Sequence, residues 1–156
     1  ANLAKYMNEY GGYPIYKNTS VKYFPLGEYK FEELKKQLEK AKRFIAEAEQ
    51  MLSMGLWDLA ANRFYYSCFH AAQALLIHYG LSAHTHAGTL GVFGMNFVKT
   101  GKIDKELGAF FSRMEQLRMK ADYNCEYDVS NSDVENMLQP AHDFLNSIIK
   151  LIKEKQ

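Results

Sequence analysis

Two stretches of this 156-residue chain set a cation among apolar residues at spacings that could support chemistry. The first reads LRMKADYN, residues 117–124. Ahead of it Leu107, Phe110, Phe111, Met114 and Leu117 recur at helical spacing. At ~100° per residue, Arg118 projects within roughly 20° of Leu107 and Phe111, with Asp122 one turn further on. A guanidinium so placed can hold a phosphate or pair with a carboxylate. Buried and unpaired it would cost on the order of 3–5 kcal/mol, so Asp122 is its expected partner. The pair is either a structural ion bridge or part of a site.

The second stretch is NRFYYSCFH, residues 62–70. Arg63 and His70 return to within roughly 20° of one azimuth, about 10 Å apart along a helix axis. Ser67 lies between them and Tyr66 stands one turn before His70. An imidazole can act as general acid or base near neutral pH, and a guanidinium can stabilise phosphate charge. Together they could cleave an RNA phosphodiester without metal. The plainer reading makes them polar anchors to neighbouring helices. His84 and His86 lie in a loop-like HTH, with His78 nearby, but no acidic or thiol partner has ligand spacing. No metal site or cofactor is expected, and His86 reads as a loop histidine that bonds a backbone or a substrate. No P-loop, GxGxxG, GxSxG or HExxH motif occurs. Cys68 sits in an apolar stripe that disfavours its thiolate.

The elements that must position these residues are helical. From about Glu28 to Met54, one face carries Phe31, Leu34, Leu38, Ala41, Ile45, Ala48 and Leu52. The opposite face mixes Lys and Glu and reads as solvated. Gly55 ends this helix. A second runs from about Leu56 to Tyr79 and is closed by Gly80. It is apolar on two sides: Trp57, Ala61, Phe64, Cys68, Ala72 and Leu75 on one, Tyr65, Phe69 and Leu76 on the other. Such a helix is central to a bundle or shared with an interface, so the second stripe is the expected dimer surface. Residues 81–101 predict a loop, a short helix near 87–99 and a turn at Thr100–Gly101. A fourth helix covers about 103–122. SDVE at 132–135 matches a capping box and opens a final helix to about 154, kinked or broken near Pro140.

With no strand-period run, the pattern is an all-α, up-and-down bundle of about five helices, four long and one short. Residues 1–27, with Gly11, Gly12, Pro14, Pro25 and several Tyr, predict an irregular arm, and 28–156 the helical domain. Apolar residues at 47% and charged residues at 24% are ordinary for a globular chain. A formal net charge of +1 carries no global basic footprint for nucleic acid, although a local patch stays possible. Two cysteines, Cys68 and Cys125, outside any CxxC spacing, suggest neither a disulfide framework nor a zinc knuckle. The start ANLAKYMNEYGG lacks an apolar signal core and no run is long enough to span a bilayer. A cytoplasmic setting without membrane contact is expected.

Three blocks in this order, AANRFYYSCFHAAQALLIHYGL, THAGTLGVFGMNFVKTGKID and RMKADYN, resemble the HEPN (higher eukaryotes and prokaryotes nucleotide-binding) domain. The likeness covers roughly residues 28–153 and is nearest the small stand-alone prokaryotic branch often encoded beside a minimal nucleotidyltransferase. It implies a bundle of about five helices, usually a homodimer, with partners drawn from toxin–antitoxin or nucleotidyltransferase pairs. Many HEPN domains are metal-independent ribonucleases whose motif is an Arg, four to six intervening residues and a His, two copies facing each other across the dimer. Arg118 falls at the motif Arg. The positions that would hold the His are Tyr123, Asn124 and Cys125, so the His is absent. Asp122 and Tyr123 take the place of the polar and aromatic part of the motif. His86, in the TH-x-G block of this branch, is expected near Arg118.

The leading expectation is a homodimeric HEPN subunit that partners a minimal nucleotidyltransferase and binds nucleotide or RNA. Arg118, Asp122, Tyr123 and His86 would form its groove, with Arg63 and Tyr66 as further ligand contacts. The alternatives are a ribonuclease toxin using Arg63 and His70, or His86 with Arg118, and a non-catalytic helical adaptor.

Overall fold

The computed structural model describes residues 28–154; the expected N-terminal arm lies outside the described residues. Helix α1 (Glu28–Ser53) and helix α2 (Trp57–His78) form the most extensive pair of the bundle. Their connection is short because Gly55 takes a φ of 73°, a left-handed turn that suits glycine. Gly55 N–H donates to Leu52 at 3.1 Å and Leu56 N–H to Met51 at 2.9 Å, which closes α1 with a Schellman pattern. Gly80 ends α2 the same way: its N–H donates to Ile77 at 3.0 Å, and Leu81 N–H donates to Leu76 at 2.8 Å.

After α2 the chain crosses a loop to the short helix α3 (His86–Phe93), which runs on into a π-helical turn at Gly94–Val98. Thr85 caps α3 by accepting from the Gly88 N–H at 2.8 Å. Gln73 of α2 holds this corner by donating to the Thr89 hydroxyl at 2.8 Å. Helix α4 (Lys105–Tyr123) follows a turn at Gly101. The π turn packs so closely on α4 that a Cβ on Gly108 would stand 2.8 Å from Val98 Cγ2. The chain closes with the single turn α5 (Asn131–Val134) and helix α6 (Leu138–Lys153). Among the described residues there is no strand, so the architecture is the expected all-α bundle of four long helices and short ones.

The centre of the core is aromatic. Phe93, Phe111 and Phe144, from α3, α4 and α6, meet in pairs at 5.3–5.6 Å between ring centroids, distances at which tilted and edge contacts add to burial.

Three expectations need correction. The capping box begins at Ser130, two residues before SDVE: Asp133 Oδ2 accepts from the Ser130 N–H at 2.9 Å. Ser130 takes the extended backbone that a cap requires, whereas Ser132 is already inside the turn. The final helix divides at residues 135–137, upstream of Pro140, which falls in the first turn of α6 where its missing N–H leaves no gap. The third correction concerns the stripe expected as a dimer surface. Of its three residues Tyr65 and Leu76 are fully buried within the single chain while Phe69 stays partly exposed, because α4 and α6 both pack on α2 and use most of that side for the core.

Candidate functional site

Arg118 lies on the side of α4 that faces α2 and is only 7% exposed. Its partner is not Asp122 alone. Glu115, one turn earlier, takes the guanidinium bidentately: Nε donates to Oε2 at 3.1 Å and Nη2 to Oε1 at 2.9 Å. Asp122 Oδ2 accepts one bond, from Nη1 at 3.1 Å. Glu115 is 16% exposed and Asp122 48%, so the first carboxylate is an enclosed clamp and the second stands at the water boundary. Bidentate, charge-assisted pairing of this kind is the stronger form. The Glu115 hydrogen bond raises the guanidinium pKa further, against the effect of burial.

Tyr65 of α2 forms the floor. The Arg118 guanidinium carbon stands 4.9 Å from the Tyr65 ring centroid, a cation–π stack worth more when desolvated. At the other end of the ring, the Tyr65 hydroxyl meets His86 Nδ1 at 2.6 Å. Burial, helped by the Glu115 carboxylate beside it, pushes the Tyr65 phenol well above its usual range. The phenol therefore stays protonated, and its bond to His86 runs from the hydroxyl to Nδ1 or from Nδ1–H to the phenol oxygen according to the imidazole tautomer. His86 opens α3, and its ring rests on Phe69 at 4.8 Å and on Tyr66 at 5.8 Å. A continuous chain results: Asp122, Arg118, Tyr65, His86, with Glu115 clamping the cation.

The structure thus brings together three of the residues expected in one groove, Arg118, Asp122 and His86, with Tyr66 beside His86. Tyr123 follows Asp122 and is 76% exposed at the end of α4. The other candidate pair goes elsewhere. Arg63 Nε donates to Glu47 of α1 at 3.1 Å, and His70 Nδ1 meets Gln37 of α1 at 2.6 Å. Phe44 lies against both, 5.2 Å from the Arg63 guanidinium and 5.4 Å from the His70 ring. Ser67, between them, donates to the Ala41 carbonyl at 2.8 Å. Burial, and then Lys40 and Arg43, lower the His70 pKa to about 4. This polar stripe is where α2 is fastened to α1. His84 is exposed, and no group of three metal-binding side chains converges among the described residues. Burial pushes the Cys68 thiol up, out of reach of nucleophilic use at neutral pH.

Two site residues were not singled out from the sequence. Glu115 precedes Arg118 by three, a spacing that lets side chains meet, and so was legible in principle. Tyr65 carried no such signal; its place in an apolar stripe reads as core, and only the packing of α4 on α2 puts a cation on its face.

In chemical terms the site is a cation held by two carboxylates, with Met119 Sδ also accepting from Nη2 at 3.5 Å. Glu115 and Asp122 use Nε and one N–H each from Nη1 and Nη2. Of the five guanidinium N–H groups, the second on Nη1 has no acceptor among the described residues. Nη1 is also the nitrogen held by the exposed Asp122, so it is the point at which an anion could enter. No helix among the described residues is long and apolar enough to cross a membrane.

The fold and this site define an all-helical domain with an enclosed, doubly paired arginine between its second and fourth helices. Comparison with known proteins places it further: the HEPN domain family matches residues 34–153, and the chain belongs to that family. A UPF0332 protein of Thermotoga maritima is 37% identical over 74% of this chain and 87% of its own length. A protein of Methanocaldococcus jannaschii carrying the name "Putative toxin MJ0142" is 32% identical over 79% of this chain and 84% of its own. A second protein of that organism has the same kind of name. The crystal structure of TT1696 from Thermus thermophilus superposes with a TM-score of 0.65 at 15% identity, covering 76% of this chain and 97% of that one. That likeness is one of fold.

Proposed function

We propose that this HEPN protein is the toxin-type subunit of a two-component system, a cytoplasmic homodimer that binds RNA or nucleotide phosphate at Arg118 and partners a minimal nucleotidyltransferase. The observation that carries the reading is the state of Nη1: one N–H has no acceptor among the described residues and the other is held by a single, half-exposed carboxylate. A phosphate oxygen would accept from Nη1 and displace Asp122, while Glu115 keeps the guanidinium oriented. Asp122 makes a single bond and is half exposed, so it is the weaker of the two carboxylate holds on Arg118. Tyr123, exposed next to Asp122, would offer its ring to a base. The toxin names of two relatives support a role in such a pair.

The test is fluorescence anisotropy of a labelled single-stranded RNA twelve-mer in EDTA. Arg118→Lys, which keeps the charge but not the fork, is expected to weaken binding about tenfold, and Asp122→Asn to strengthen it. Absence of binding by the wild type, or equal binding by all three, would overturn the RNA reading. Co-expression with the nucleotidyltransferase of an adjoining reading frame tests the partner; two proteins that elute separately would remove it.

A second reading, a metal-independent ribonuclease, is favoured by the link from Arg118 through Tyr65 to His86. With Nδ1–H donating to the Tyr65 oxygen, His86 Nε2 would take the proton of the RNA 2′-hydroxyl, whose oxygen bonds to phosphorus as the 5′-oxygen leaves and takes a proton from water, while Arg118 stabilises the phosphate charge. Cleavage in EDTA that is lost in His86→Ala would establish it.

A further inference from the structure

We infer that the face of α4 turned away from Arg118 is a docking groove for a second protein, which enters as an acidic, amphipathic helix. This goes beyond the Arg118 reading and does not depend on it. Arg113 and Lys120 are seven residues apart on α4, so they return to within roughly 20° of one azimuth, about 10 Å apart along the axis. Arg118 projects roughly 140–160° away from both. The two cations line a groove of about 370 Å³ shared by α4 and the segment 127–137. Met114, Leu117 and Met137 supply its apolar lining, and Tyr127 and Asp133 its polar side. The groove is the open edge of a small second core, in which Ala61, Val129 and Val134 are buried while Leu117, Tyr127 and Met137 are only partly covered.

The charges choose the partner. Arg113 and Lys120 are exposed, and neither forms an ion pair among the described residues. Each stands over a ring instead, the Arg113 guanidinium 5.9 Å from Phe110 and the Lys120 ammonium 4.7 Å from Tyr127. Asp133, the carboxylate in the lining, is committed elsewhere: Oδ2 accepts from the Tyr127 hydroxyl at 2.8 Å and from the Ser130 N–H at 2.9 Å. Two cations without carboxylates beside an apolar floor are the complement of two carboxylates beside an apolar anchor.

A nucleic acid fits less well. Bases stack on open aromatic faces, and the ring in this lining, Tyr127, carries Lys120 over its face and has its hydroxyl tied to Asp133. Leucine and methionine suit an aliphatic side chain, and methionine adapts to its shape. Among the described residues no strand offers an edge to an extended peptide, so a helix, which binds through its side chains, is the form that fits. Carboxylates seven residues apart on such a helix match the spacing of Arg113 and Lys120, and apolar residues three and four places after the first fall between them.

The test uses the full chain and a fluorescein-labelled, alanine-based helix of about eighteen residues carrying that pattern of Glu and Leu. Anisotropy is expected to show binding at micromolar peptide that weakens as salt rises. Arg113→Glu/Lys120→Glu changes exposed side chains and should keep the wild-type melting temperature. It is expected to weaken binding about tenfold, and to bind a peptide with Lys in place of Glu better than the wild type does. Serine in place of the two leucines, a change that leaves the protein untouched, should also weaken binding about tenfold. Absence of binding by the wild type, or binding that neither the charge reversal nor the serine peptide alters, overturns the inference. Displacement of the peptide by an RNA twelve-mer would assign the groove to nucleic acid, and altered sedimentation of the double variant would assign it to a second copy; either result overturns it as well.

Discussion

The Arg118 guanidinium lies 4.9 Å above the ring of Tyr65, and the hydroxyl of that ring meets His86 Nδ1 at 2.6 Å. One aromatic side chain therefore couples the enclosed arginine on α4 to the histidine that opens α3. Tyr65→Phe keeps the stack and removes the hydroxyl. It is expected to cost about 1 kcal/mol, read as a small fall in urea midpoint, and to release His86, read by NMR as a change in its ring shifts. Arg118 pairing should persist.

The two carboxylates are expected to separate clearly in stability. Glu115→Ala leaves an enclosed guanidinium whose remaining carboxylate among the described residues is Asp122 and should cost on the order of 3 kcal/mol. Asp122→Ala removes a half-exposed partner and should cost less than about 1 kcal/mol. Denaturant unfolding of both variants checks the order; equal losses would contradict the clamp assigned to Glu115.

Acid should destabilise the fold through its buried histidines. His78 is 2% exposed and burial lowers its pKa from 6.5 to about 4. Between those values the unfolded chain binds more protons than the folded one, so stability falls as pH drops through this window. The full loss is on the order of 3 kcal/mol for His78, with His70 acting in the same direction. Unfolding free energies at pH 7 and pH 5 measure it, and His78→Gln should flatten the slope.

The approach of α4 to the π turn depends on Gly108. A methyl there would meet both γ-methyls of Val98, at 2.8 and 2.9 Å, so Gly108→Ala is expected to cost about 1–3 kcal/mol. Adding Val98→Ala should return part of that loss, which a thermal-melt double-mutant cycle would detect.

The sequence by itself determined the helices and most of their ends. Leu34, Leu38, Ala41, Ile45 and Ala48 repeat at the helical period and are buried on α1. Gly55 and Gly80 stop α1 and α2 because their left-handed turns suit a residue without Cβ. It also marked Arg118 as out of place, since a charge at the edge of an apolar stripe must find a partner. The tertiary structure decided which partner. Asp122 and Glu115 both have helical spacing to Arg118, and only the depth at which α4 packs makes one an enclosed clamp and the other an exposed, exchangeable contact. Tyr65 and Leu76 looked free for a dimer because periodicity reports that a face is apolar, not what covers it. Their burial, and the cation over Tyr65, arise from contacts between α2 and elements distant in the chain, which a local repeat cannot encode.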